Sequence, residues 1–350
     1  MLKYFTILLV GLLVVLPAQA DQVTTTDSTT LDLDSAIIDS TSTVINESVS
    51  STENSMLESD SQLVKEPIIR VGLLKTKTAV HFKSPNDYNI YSATEMVGFL
   101  SANEEAVLSY KNGKFFLKSN TLKLESKNFW RFEPVEENSF FNLPNCGRTL
   151  YNRKITYCTY RGVFEYQYGQ ISKMPYLINE LPLEDYMKGI AETDNNSAQG
   201  YIKAVLVAAR SYAYKNISFN PPTAKRLFDV FASTKDQLYL GYVSEQKMPR
   251  VAKMAQETSG EMVTFNNKVV TTPYFSYSGG KTKEWKNRAG KNDRPWLISV
   301  ECKYDKGKRK LGHGYGMSTH DALMRATKDN WDYVQLLEYY YSGTQVEKIY

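Results

Sequence analysis

The chain has 350 residues, too many for one minimal domain and enough for one large or two ordinary domains with a buried core. With 42% hydrophobic and 13% aromatic residues it is not disordered throughout, and a mean hydropathy of -0.41 excludes a polytopic membrane protein. The net charge of +4 hides an asymmetry: residues 1–66 set Lys3 and Lys65 against ten acidic side chains, a balance of -8, which leaves +12 on residues 67–350.

Met1–Ala20 carries one cation at Lys3, an apolar run from Tyr4 to Leu16, Pro17, and the small-residue pattern Ala18-Gln19-Ala20. This predicts a cleaved secretory signal peptide. An uncleaved anchor is the alternative, but the run is shorter than the ~20 residues of a bilayer span. Ala20 stands where a lipoprotein needs Cys, so lipid attachment there is excluded. Export implies the periplasm or cell envelope, with membrane contact only through this segment if it is retained. It also turns the basic body away from nucleic acid and towards anionic wall polymers. Residues 21–66 hold eighteen Ser or Thr and no aromatic, Gly or Pro. Such a segment does not offset its ordering entropy and predicts a disordered acidic linker.

Order is predicted from Ile68–Leu74, a short β-type run. Val107–Tyr110 and Phe115–Lys118 flank Asn112-Gly113, a two-residue hairpin signal, and Thr121–Glu125 alternates at period two. Cys146 and Cys158 bracket a possible hairpin. In an exported chain they can bond and leave Cys302 unpaired, or all three remain buried thiols.

The texture changes near Leu181. Leu183–Ile190 reads as a helix, and Ser197 is placed to cap a longer one with Ile202, Val205, Leu206, Ala209 and Ala213 on one stripe. The opposite side carries Gly200, Ala204, Ala208 and Ser211, small residues that predict burial nearly all round. Lys203 and Arg210 share a flank about 90° from the stripe. Two cations on a buried helix require anionic or polar partners. Met262–Phe265 and Val269–Phe275 form a second hairpin around Asn266-Asn267. A helix over His320–Thr327 follows Ser318, with Asp321 in capping-box position, and a last helix, Tyr333–Tyr341, stops at Gly343. The fold class is α+β: a strand-rich region over 67–165, then a mixed core with a cleft over 166–350.

Several motifs fail. Gly280-Lys281-Thr282 ends like a P-loop, but Phe275 stands where the first Gly belongs. Neither H-E-x-x-H nor G-x-S-x-G nor G-x-G-x-x-G occurs, and three histidines with scattered cysteines give no metal set. No cofactor is expected, and His313 and His320 read as structural or substrate-contacting.

Specific blocks appear from Tyr160 onward. Leu181-Pro182-Leu183-Glu184-Asp185-Tyr186-Met187-Lys188-Gly189-Ile190-Ala191-Glu192 is followed by Val207-Ala208-Ala209-Arg210-Ser211-Tyr212-Ala213 and Gln237-Leu238-Tyr239-Leu240-Gly241. Later come Ser276-Tyr277-Ser278-Gly279-Gly280-Lys281-Thr282 and Gly312-His313-Gly314-Tyr315-Gly316-Met317-Ser318. In this order the blocks resemble the stage II sporulation protein D (SpoIID/LytB) family over about residues 68–350. The resemblance implies a peptidoglycan lytic transglycosylase acting on glycan strands stripped of stem peptides, or else a noncatalytic enhancer of a cell-wall amidase. The partners it implies are glycan strands and, in the second case, the amidase.

It also implies that Glu192, eighteen residues before Arg210, is the single acid and base, with Lys203 and Arg210 lining the cleft. Thr193-Asp194 replaces the family's Met-Pro and Ser197-Ala198 an aromatic-Pro pair, while Tyr277 and Thr319 replace Ser and Gln. Asp194 raises the proton affinity of Glu192 if close, and does nothing if solvated. The remaining expected substrate contacts are Tyr201, Gln237, Ser276, Ser278, Gly279, Thr282, His313 and Ser318. Tyr201, Tyr274 and Trp285 either stack on sugar faces or pack internally. For Arg210 the alternative is a buried structural ion pair.

Overall fold

Alternating apolar residues build two sheets in the structure, a computed structural model that describes residues 65–148, 155–219, 226–287 and 289–350. The expected signal peptide, and the expected linker up to residue 64, lie outside the described residues. The first sheet runs, in spatial order, Val230–Phe231, Ile68–Lys75, Met174–Pro182, Val163–Gly169, Trp130–Pro134, Tyr88–Ser92, Glu95–Leu100. The second runs Thr159–Arg161, Phe140–Asn142, Val80–Lys83, Glu105–Lys111, Lys114–Lys118, Lys123–Ser126.

Phe82 of the second sheet stacks on Phe132 at 4.4 Å and Phe164 at 5.5 Å in the first, so facing strands enclose one aromatic core. The alternate positions carry charge: Arg70 and Arg131 each reach both Glu165 and Glu180 within 2.6 Å across four neighbouring strands. Asn112 and Gly113 take φ of 51° and 78° and close the expected hairpin. Cys146 and Cys158 are disulfide-bonded, and Cys302 is a buried free thiol. Val163–Gly169 straddles position 165, and its sheet takes strands from both sides of it.

The helices are α1 (Leu183–Lys188), α2 (Gln199–Phe219), α3 (Tyr242–Lys247), α4 (Pro249–Glu257), α5 (Thr319–Lys328) and α6 (Tyr333–Tyr340). Helix α2 lies between two cores. Ile202, Leu206, Ala209 and Ala213 face the sheet side, and Ala204, Val205 and Ala208 pack with Ala322 of α5 and Leu336 and Tyr340 of α6. A Cβ on Gly200 would sit 2.5 Å from the Trp331 carbonyl oxygen, so only glycine admits that approach. The small-residue side thus does what its composition predicts.

Four element ends differ from expectation. Helix α1 stops at Lys188 because Ile190 leaves it to bridge Tyr239. Helix α2 opens after Ala198 instead of Ser197. The run Val269–Phe275 breaks: Lys268–Val269 completes the hairpin, and Tyr274–Phe275 pairs in parallel with Met317–Ser318. Ser318 is the flanking residue of α5 but makes no capping bond. The capping box belongs to α6 instead, from Asp332 and Gln335.

Candidate active site

After α1 the main chain zips onto Leu238–Leu240. Ala191 N–H donates to Leu238 O at 2.8 Å, and Leu240 N–H donates to Gly189 O at 2.9 Å. A Cβ at Gly189 would meet Tyr239 Cε2 at 2.5 Å and Gly241 Cα at 3.0 Å, so glycine is what permits this approach. The register turns the Glu192 side chain back, and its Oε1 accepts from Leu238 N–H at 2.5 Å.

Glu192 is half-buried; burial raises the phenols of Tyr186, Tyr201 and Tyr274, and the charge of nearby Glu192 adds to the rise in all three. Tyr186 OH donates to Gln237 Oε1 at 2.9 Å, and Gln237 Nε2 donates to Ala209 O at 3.1 Å and Tyr274 OH at 3.4 Å. Buried Gln237 therefore braces two of the phenols. Burial pushes the Glu192 carboxyl above the usual carboxylate range, against the pull of the Leu238 N–H. Among the described residues no cation pairs with it; Lys203 and Arg210 are engaged elsewhere. Asp194 faces solvent and accepts from Asn196 N–H at 2.8 Å, so the rise at Glu192 comes from burial and not from a second carboxylate. Arg250 donates to the carbonyls of Asn195 and Ser197 at 2.8 and 3.2 Å and steadies this loop. A carboxyl that tends to keep its proton, surrounded by phenols and free of cations, can act as a general acid.

Lys203 and Arg210 are both held in ion pairs within the fold. Arg210 is fully buried, with Nε and Nη2 on the two carboxylate oxygens of Glu184 at 2.8 Å each and further donations to Ala255 O and Glu261 O. Lys203 pairs with Glu257 at 2.8 Å. The reason is helical geometry: at about 100° per residue, Lys203 lies some 200° round α2 from Tyr201, the residue facing Glu192. Tyr201 is only 6% exposed, so it lines the glutamate's niche without offering a free face for stacking.

The serine-rich turn is also committed to the framework. Asp305, which carries no signal in the sequence, accepts from Ser278 N–H (2.7 Å), Ser278 Oγ (2.8 Å), Ser318 Oγ (2.6 Å) and His320 Nδ1 (2.8 Å). Burial works to raise the Asp305 carboxyl, but these bonds bring it below the usual range. Ser276 contributes its carbonyl, accepting from Ser318 Oγ and His320 N–H. Thr282 Oγ1 accepts from Val300 N–H at 2.8 Å, and Gly279 is exposed at φ 81°. His313 Nε2 donates to Tyr274 O at 3.1 Å, while Nδ1 accepts from Tyr315 N–H at 3.0 Å. With both nitrogens bound to backbone, and with burial, Lys310 and Lys283 disfavouring its cation, His313 positions Tyr274. Trp285 is half-buried, with Nε1 on Asp293 at 2.6 Å and Arg294 4.1 Å over its ring.

Asp305 carries no local signal because it sits in Lys303-Tyr304-Asp305-Lys306-Gly307-Lys308, whose composition is that of a solvated turn. Among the described residues no group of three His, Cys, Asp or Glu could hold a metal ion, and no helix is long and apolar enough to cross a membrane.

Residues 172–265, which run from the Met174–Pro182 strand through Glu192 and α2 to the hairpin at Phe265, match the family model SpoIID, described as stage II sporulation protein. An uncharacterized protein of Brachyspira hyodysenteriae is 35% identical over 130 residues, covering 35% of this chain and 34% of the relative. Stage II sporulation protein D of Bacillus subtilis is 24% identical over 145 residues, and that of Bacillus amyloliquefaciens 26% over 146, each match covering 37% of this chain and 41% of the relative. The matches thus span about a third to two fifths of these relatives' own length.

Proposed function

The chain carries a SpoIID-family segment at residues 172–265, and from that premise we propose that it is an exported lytic transglycosylase of the cell envelope, acting on peptidoglycan glycan strands that lack stem peptides. The family membership supports the cell-wall role. The observation that carries the cleavage reading is Glu192, a half-buried carboxyl raised by burial and paired with no cation among the described residues.

Ordinary glycosidases need two carboxylates, whereas an intramolecular attack needs one. Protonated Glu192 gives its proton to the oxygen between N-acetylmuramic acid and N-acetylglucosamine as the C1–O bond breaks. The resulting carboxylate takes the proton of the muramic acid C6 hydroxyl while that oxygen bonds to C1. The product is a 1,6-anhydro sugar, water is not consumed, and Glu192 ends protonated as it began. Leu238 N–H holds Oε1 and fixes the carboxyl's direction.

The second reading is a noncatalytic amidase enhancer of the same fold. It is favoured by Lys203 and Arg210, the expected substrate cations, being bound to Glu257 and Glu184. Incubating peptide-free glycan with the parent protein and with Glu192→Gln separates the two. Products one water lighter than hydrolysis products, from the parent alone, support cleavage; equal products from the variant, or none from the parent, refute it.

A further inference from the structure

Two cations converge on Gly314 without a counter-ion among the described residues. Lys283 N–H donates to Gly314 O at 2.7 Å, and Lys283 lies opposite Tyr315 in a parallel bridge. A Cβ placed on Gly314, whose φ is 92°, would sit 2.5 Å from Lys310 Nζ and 3.4 Å from Lys283 Cδ, so both side chains cross the same spot. Lys283 is exposed and Lys310 half-buried. Nearby Lys286 and Lys306 reach Glu284 and Glu301 at 4.0 and 3.7 Å, but among the described residues neither Lys283 nor Lys310 has a carboxylate within ion-pair distance. Like charges held together are unfavourable unless an anion joins them. Burial, and then Lys283, weaken the hold of Lys310 on its proton.

The surroundings suit a sugar. Lys283 Nζ stands 5.7 Å over the Tyr315 ring, which stacks on His313 at 5.9 Å and meets Trp285 edge-on at 5.1 Å. His313 in turn holds the carbonyl of Tyr274, whose phenol feels the charge of Glu192. The lysine pair is therefore linked to the acid through four successive contacts, Lys283–Tyr315, Tyr315–His313, His313–Tyr274 and Tyr274–Glu192.

We infer that Lys283 and Lys310 form a carboxylate subsite that takes the free lactyl carboxylate of the glycan strand. This rests on the glycan-cleaving reading above and gives it a specificity determinant. A carboxylate offers two oxygens to two ammonium groups. A stem peptide converts that carboxylate to an uncharged amide, and a strand of N-acetylglucosamine alone has none. The pair thus reads the absence of the peptide as a charge.

The test uses the full chain carrying Glu192→Gln, so that no strand is cut, titrated at fixed ionic strength with peptide-free glycan, with the same glycan amidated at its lactyl groups, and with polyphosphate. Lys283→Gln and Lys310→Gln are each expected to weaken binding of peptide-free glycan about tenfold and to leave the amidated strand unchanged. Lys283→Arg and Lys310→Arg should each retain most of the affinity, and unchanged thermal melting confirms the fold. Undiminished binding of the peptide-free strand, or equal losses on the amidated strand or on polyphosphate, overturns the assignment. Binding is read without cleavage, so the charge-dependent loss in this background together with no cleavage by the Glu192 parent refutes the catalytic reading and keeps the subsite.

Discussion

Arg210→Met tests whether this arginine belongs to the framework or to the substrate. Its guanidinium has zero exposure and donates to both oxygens of Glu184 and to two carbonyls. Methionine fills similar space but leaves Glu184 without its cation. Glu184 Oε1 still accepts from Gly260 N–H at 3.0 Å and Tyr350 OH at 2.6 Å, so its charge is not stranded completely. Breaking one partner of a buried pair costs about 3–5 kcal/mol, and the residual bonds place this case at the lower end. Against a total stability of about 5–15 kcal/mol that is a large fraction, and at roughly 2–4 °C per kcal/mol the melting temperature should fall by about 10 °C. Urea unfolding followed by circular dichroism measures the loss, while glycan affinity of the folded fraction should stay near the parent's. A variant within about 1 kcal/mol of the parent that has lost glycan binding would return Arg210 to the cleft and refute this reasoning.

Three further outcomes are expected. Because the folded-state pKa of Glu192 is raised, the native state holds its proton more tightly than the unfolded chain. That contribution is present below the ordinary carboxylate pKa and lost as pH rises through the raised one, at about 1.4 kcal/mol per tenfold change in proton affinity. Glu192→Gln should therefore melt with the parent in acid and above it at neutral pH, and parental cleavage should fall over the same pH range; a parent more stable than the variant at neutral pH contradicts the assignment. Gly189→Ala drives a methyl into Tyr239 and shifts the segment that orients Glu192, so product formation should drop by up to about 100-fold in a protein that still folds; full activity would show that this register is not needed. Asp305→Ala should destabilise by about 2–4 kcal/mol by removing the shared acceptor of buried Ser278 and Ser318, which leaves Ser318 only its longer bond to the Ser276 carbonyl, with faster amide exchange at Ser278. Since the Asp305 pKa is lowered, the difference between the two proteins should be full at neutral pH and shrink as pH falls through that depressed value, and a difference that does not vary with pH would contradict it.

How much of this was legible in the sequence depends on whether a feature is local. Asn112-Gly113 and Asn266-Asn267 specify their turns through positive φ at both positions of each pair, and the small side of α2 announced a helix buried nearly all round. The block order also pointed to the SpoIID family, which the match over 172–265 supports. What resisted was the pairing of distant charges. Arg210 meets Glu184 across 26 residues and Asp305 meets Ser278 across 27, and no periodicity encodes such separations.

The two α2 cations were nonetheless readable in principle. A helix whose far side is Gly200, Ala204 and Ala208 packs closely on its neighbours, so a cation on its flank lies within reach of their anions. Glu184 opens α1 within the same block and Glu257 closes α4, both on elements packed against α2. Carrying the burial argument one step further than the stripe, from which residues are buried to which charges must then be matched, assigns both cations to the framework. It leaves the Glu192 region with the pattern expected of a carboxyl that must keep its proton: phenols and a backbone N–H near Glu192, and the lysines that are unpaired among the described residues displaced to the Gly314 turn.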